Sequence, residues 1–193
     1  MAQNSTTILA DKNHKTTLTG AVVAFIKTGT EYKISSSNTA TVNFSPLAQF
    51  DLVTTSGSTN NNKTFTVKSV ATDGTFIIVE EDVITETAGA TITIDHVGFV
   101  SNKFKGDGYY SHPDGVHTVA YKVTDKLTGS IKMQGSLATA PSEDDWFDIA
   151  GTTFTTDQST LISSANFTGN FVWVRAKATA ITAGTITQIL LNS

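Results

Sequence analysis

Apolar and polar residues along this chain alternate mostly in twos, and almost nowhere in the three-and-four spacing of a helix. No twelve-residue window carries an apolar stripe at i, i+3, i+4 and i+7. The alternation is strictest at 63–70, where Phe65 and Val67 fall on one face. Asp73-Gly74 is a hairpin signal leading into an apolar run at 75–79, and Ala88-Gly89-Ala90 turns the chain into a strand at 91–94. With 41–44 and 51–55 these make five strands within 40–95, the economy of a small Greek-key β-barrel.

Upstream, residues 21–26 form an unbroken apolar run that reads as a strand buried on both faces. Gly20 and the paired Val22-Val23 argue against a helix there. The first 15 residues are polar and predict an arm or an early edge strand. Beyond 98 the strands lengthen and aromatic residues become more frequent. Strands are expected at 99–100, 108–110, 116–123, 129–137, 146–149, 152–155, 171–179 and 185–191, the spacing of a jelly-roll-type β-sandwich. The fold class is therefore all-β. The apolar run at 17–26 finds no neighbour if 40–95 closes on itself, so residues 1–37 are expected to join 97–193 in the sandwich. The barrel at 38–96 is then an insertion, and a simple head-to-tail order is the alternative.

Composition sharpens this picture. The 193 residues include 34 Thr, 17 Ser and 11 Asn, and only 16% are charged against a usual share of about 25%. Threonine is stiff at its first side-chain torsion and suits a pleated surface whose hydroxyls face water. With no cysteine, disulfides and cysteine-ligated metal sites are excluded. A net charge of −4 lacks the basic stripe a general nucleic-acid binder needs. No apolar run approaches the roughly 18 residues of a membrane-spanning helix, so membrane insertion is not expected.

Two stretches resemble known proteins. The first runs Phe50-Asp51-Leu52-Val53-Thr54-Thr55-Ser56-Gly57-Ser58, then 61–70, then Glu86-Thr87-Ala88-Gly89-Ala90-Thr91-Ile92-Thr93-Ile94. It is similar to a small β-module recurrent in tailed-phage virion proteins. The second comprises 129–137, then Pro141-Ser142-Glu143-Asp144-Asp145-Trp146-Phe147-Asp148-Ile149, then 166–176 with its Phe-x-Trp-Val-Arg-Ala element, then 184–189. It resembles the jelly-roll domain of virion structural proteins in contractile-tailed phages that infect cyanobacteria. The resemblance covers roughly residues 40–193 and implies a virion component without catalysis or cofactor, made in the host cytoplasm. Its expected partners are other virion proteins and further copies of itself. A glycan-binding jelly-roll for host attachment is the alternative.

Four side chains stand out as interface or glycan contacts: Tyr109, Tyr110, Trp146 and Arg175. Tyr109, Tyr110 and Trp146 could form a platform on which sugar C–H faces stack, although aromatics in a sandwich more often serve as core or interface anchors. Arg175 is the only guanidinium in the chain and follows Trp173 by two positions on an expected strand. Bidentate pairing with a carboxylate, or stacking, is expected for it at a sheet face, with Asp144, Asp145 or Asp148 the first choices of partner. Glu143-Asp144-Asp145 with Asp148 is the main carboxylate cluster and reads as a solvated turn more readily than as an acid/base pair or calcium loop. His112, Asp114 and His117 offer imidazole and carboxylate ligands, but the spacing fits no standard metal site and Pro113-Asp114-Gly115 is itself a turn. Ser56-Gly57-Ser58 lacks the following helix that a nucleophile elbow requires.

Overall fold

The computed structural model describes residues 5–110, 115–155 and 160–192. Among them are fourteen β-strands, two short 3₁₀ turns and no α-helix. The chain divides into two compact units, one formed by Met1–His14 with Phe99–Ser193 and the other by Lys15–Gly98.

The smaller unit holds β2 (Leu18–Gly20), β3 (Val23–Thr28), β4 (Glu31–Ser36), β5 (Asp51–Ser56), β6 (Thr64–Val70), β7 (Phe76–Val79) and residues 92–98 of β8 (Ile92–Val100). Its strands lie in the order β3-β4-β7-β6-β5-β8, with β2 on the far side of β8. The pairs β2–β8, β3–β4, β4–β7, β5–β6 and β6–β7 are antiparallel. The sheet curls around one core in which Phe25, Ile34, Phe44, Phe65, Val67 and Ile77 are at most 1% exposed. Phe25 and Glu86 exchange backbone hydrogen bonds at 2.9 Å, which ties the β3 edge to the segment before β8. The Glu86 carboxylate accepts from the Ser58 hydroxyl at 2.8 Å, the Thr59 N–H at 2.9 Å and the Asn61 amide at 3.1 Å. The Thr59 N–H, more than the other donors, holds this carboxyl below its ordinary range.

Residues 15–37 belong to this unit and not to the sandwich where the sequence reading put them. The physical reason is a non-local partner. β3 and β4 form a hairpin, and β4 pairs with β7 with Ile34 opposite Ile77. The apolar run at 21–26 is broken by a turn before β3, and its Val23 and Phe25 enter the module's own core.

The larger unit is built on two long strands, β10 (Val116–Ser136) and β14 (Trp173–Asn192), paired antiparallel along their length. The sequence reading divided each of them into two. They are single strands that bend where the register shifts between Thr124 and Thr128 and where Asp125, Lys126, Ala180 and Gly184 take positive φ. At Gly184 (φ +87°) a Cβ would fall 2.3 Å from the Leu127 Cα, so only glycine fits that corner.

On one side of the bend β13 (Thr160–Thr168), β10, β14 and β1 (Ser5–Asn13) form the first layer. On the other side β11 (Phe147–Asp148) and β12 (Phe154–Thr155) flank β10, and β9 (Phe104–Lys105) flanks β14. Val119, Tyr121, Val123, Ile186 and Ile189 of the first layer share one core with Ile131, Met133, Val174 and Ala176 of the second. The Tyr121 ring stacks on Phe154 at 5.4 Å and its hydroxyl donates to the Thr152 carbonyl at 2.7 Å, joining the layers. Burial raises this phenol's pKa well above the ordinary tyrosine value. Two sheet layers facing one apolar core define an antiparallel β-sandwich.

Candidate functional site

Alternation along the first half of β14 sends Val174, Ala176 and Ala178 into the core and leaves Trp173, Arg175 and Lys177 on the opposite face. Phe171, two positions before Trp173, precedes the strand and is buried in the core. Two constellations form on the outer face, one around Arg175 and one around Trp173.

Arg175 is only 5% exposed, because three side chains cover it. Its Nη1 and Nη2 donate to Glu143 Oε1 and Oε2 at 2.5 and 2.9 Å, and its Nε donates to Gln134 Oε1 at 2.9 Å. The Trp146 ring lies over the guanidinium with its centroid 4.2 Å from Cζ. All three guanidinium nitrogens and one face of the plane are thus engaged, the arrangement for which a planar guanidinium is suited and a lysine is not. Burial works against the Glu143 charge, but hydrogen bonds and charge from Arg175, with Lys177 at 3.8 Å, prevail and hold the carboxyl below its ordinary value.

The partner is Glu143, and not Asp144, Asp145 or Asp148 as the sequence suggested. The 3₁₀ turn Glu143–Asp145 decides this. Asp145 folds back to accept from the Ser142 N–H and hydroxyl, both at 2.7 Å, and this closes the turn. Asp148 on β11 accepts from Lys132 at 2.5 Å and Gln134 at 2.9 Å. Each of these carboxylates therefore braces a turn or a strand pair. Among the described residues no three His, Asp or Glu side chains converge as a metal site.

The second constellation begins at the backbone. β9 places Lys105 opposite Trp173, and the N–H groups of Gly106 and Gly108 donate to the Val172 and Phe171 carbonyls at 3.0 and 2.8 Å. These bonds seat the 3₁₀ turn Asp107–Tyr110 beside β14. The Tyr109 ring meets both Tyr110 and Trp173 edge-on at 5.2 Å, and the Trp173 indole donates to the Thr139 carbonyl at 3.0 Å. Lys105 Nζ lies 4.0 Å from the Tyr109 centroid, and Lys103 Nζ lies 4.7 Å from that of Trp173. An open groove of about 520 Å³ runs along this cluster, lined by Thr6, Lys103, Phe104, Lys105, Tyr110, Trp173 and Leu191. Such a groove can take a flat, partly apolar ligand that carries negative charge.

The structure thus separates the side chains singled out in the sequence. Tyr109 and Tyr110 lie together and exposed, with Trp173 as their third aromatic. Trp146 lies instead over Arg175. Trp173 was visible as part of the Phe-x-Trp-Val-Arg-Ala element, but nothing local indicated that β9 would bring Lys103 and Lys105 to it. His117 is fully buried, stacked on Phe167 at 4.9 Å in the sandwich core. His112 and Asp114, the other members of the metal reading, lie outside the described residues. Compared with known proteins, no family model matches the chain and no curated protein matches it significantly.

Proposed function

We propose that the protein is a non-enzymatic structural subunit of a tailed-phage particle, assembling through protein–protein contacts at the tail, baseplate, neck or capsid surface. One contrast carries this reading. The charged side chains around Arg175 are engaged with one another as braces, while large apolar side chains stand exposed on stiff sheets. Ile162 on β13 is 67% exposed, Val116 on β10 56% and Phe147 on β11 43%. Exposed apolar side chains on a rigid scaffold suit burial against neighbouring subunits, and closed symmetric contacts are how repeated subunits avoid open-ended aggregation. Immunogold labelling of purified particles is expected to place the protein at one defined position in many copies. Its absence from purified particles overturns the proposal.

The groove beside Trp173 favours a second reading, in which the same subunit binds a host-surface glycan carrying carboxylate groups. Sugar faces would stack on Tyr110 and Trp173, and Lys103 and Lys105 would meet the acid groups. On a glycan array, Tyr110→Ala is expected to weaken binding to acidic glycans at least tenfold. Trp146→Ala is expected to leave it unchanged. No binding by the wild-type protein, or equal binding by Tyr110→Ala, eliminates this reading.

A further inference from the structure

The two outer strands of the first sandwich layer differ in how their edges are protected. β1 carries a bulge between Thr7 and Leu9, a left-handed Asp11 (φ 52°), and the charges of Asp11 and Lys12. These are standard devices that discourage a further strand from pairing. β13 has none of them. Its nine residues, Thr-Leu-Ile-Ser-Ser-Ala-Asn-Phe-Thr, contain no charge and no proline, and it pairs with β10 in unbroken register from 160 to 168. Among the described residues β10 is its only strand partner.

The parity of its backbone groups follows from one bond. The Gly169 N–H donates to the Gly115 carbonyl at 3.0 Å, directly beyond the pair Val116–Thr168. In an unbroken antiparallel ladder the odd-numbered residues of β13 then bond to β10, and residues 160, 162, 164, 166 and 168 turn their N–H and C=O groups to the open edge. The odd side chains Leu161, Ala165 and Phe167 face the sandwich core, and Leu161 and Ala165 are only partly covered there.

We propose that β13 is a homodimerisation edge that pairs antiparallel with β13 of a second copy, about a two-fold axis at Ser164. Three observations select a second copy as occupant. The strand is self-complementary in this register: open-edge residues meet open-edge residues, Ile162 opposite Asn166 and Ser164 opposite itself, giving on the order of ten hydrogen bonds. The same register sets Leu161 against Phe167 and Ser163 against Ala165, so each core covers the other's half-exposed Leu161 and Ala165. No like charges face one another across the axis, although the chain as a whole carries −4. The pairing joins two four-stranded layers into one continuous sheet and leaves the groove beside Trp173 outside the seam.

Sedimentation of the full chain tests this. A nine-residue seam is a small interface, so a shift from 20.5 kDa to twice that mass is expected in the micromolar range, complete by about 200 μM. Ser164→Pro removes an N–H that points away from β10, so the fold tolerates it while dimer affinity falls at least tenfold. A second pair of variants does not depend on that one folding. The chain has no cysteine, so Ser164→Cys supplies a single thiol whose Cα lies about 5.5 Å from its symmetry mate, within disulfide reach. Asn166→Cys places the two thiols roughly 13 Å apart. Mild oxidation is expected to cross-link the first at least tenfold faster than the second. A mass that stays at one chain up to 200 μM, a dimer indifferent to Ser164→Pro, or equal cross-linking of the two cysteine variants overturns the proposal.

Discussion

Replacing Glu143 by glutamine is expected to destabilise the sandwich unit by about 2 kcal/mol at neutral pH, and far less in acid. Breaking a buried ion pair from one side leaves an uncompensated charge and typically costs about 3–5 kcal/mol. Here Arg175 is buried but the Glu143 side chain is 39% exposed, so water partly compensates the loss and the lower figure applies. The pH dependence follows from the depressed carboxyl. Because Glu143 releases its proton more readily in the folded chain than in the unfolded one, the unfolded chain binds more protons in acid. The stabilisation is fully present above the unfolded value near 4.5 and is lost as pH falls through the lower folded value. Asp145 and Asp148 are depressed in the same direction, so wild-type acid lability alone does not isolate Glu143. The difference between wild type and Glu143→Gln does. Denaturant midpoints measured at descending pH are expected to converge as pH falls through the folded carboxyl's lowered value. A gap that persists unchanged at pH 3 rules out the carboxylate as its origin. Arg175→Lys is expected to lose stability comparable to Glu143→Gln, since an ammonium cannot fork onto Glu143, reach Gln134 and lie flat beneath Trp146 together.

How much of this was legible in the sequence depends on how far each feature's cause lies along the chain. Local alternation was enough for β6, β7 and the all-β class, because period two survives wherever a strand has one wet face. It failed at β13, where Ser163 occupies a core-facing position and Ile162 an outward one, so the pattern reads as irregular. It failed again near the C-terminus. Ile186 and Ile189 both reach the core although they are three positions apart, which regular alternation would put on opposite faces, because the register against β10 slips at Thr187. A bulge of this kind reverses which side chains are inward and leaves no mark in composition. The Arg175 clamp was half visible: a lone arginine and a nearby acidic turn were evident, but the choice of Glu143 depended on hydrogen bonds from Ser142, Lys132 and Gln134 to its neighbours. The Trp173 groove was the least visible. Its lysines lie some 70 residues before the tryptophan and reach it only through the β9–β14 pairing.

Phe171→Ala is expected to destabilise the sandwich unit by about 3–5 kcal/mol, more than Glu143→Gln. Its ring fills a space lined by other aromatic rings and by two glycines. It lies 6.0 to 6.1 Å from the rings of His117, Phe147 and Phe167. Beside it are Gly135 and Gly169, where an added Cβ would fall 2.6 and 2.3 Å from Phe171 ring carbons. The two glycines have no side chains to swing into the void, and the stacked His117 and Phe167 are held by their facing positions on β10 and β13. The cavity would therefore remain, and the cost should sit toward the upper end of the range. A reciprocal change tests the same packing. Gly169→Ala, placed at φ +158° against the ring, should cost roughly 1–3 kcal/mol through overpacking in the wild-type background, in addition to the strain of a side chain at that φ. In the Phe171→Ala background the added methyl points into vacated space, so the overpacking part of its cost should vanish and only the backbone strain of the positive φ should remain. A double-mutant cycle by denaturant unfolding measures this directly. Additive effects of the two substitutions would mean that the Phe171 ring is not what requires glycine at position 169, and that the void closes by backbone movement instead.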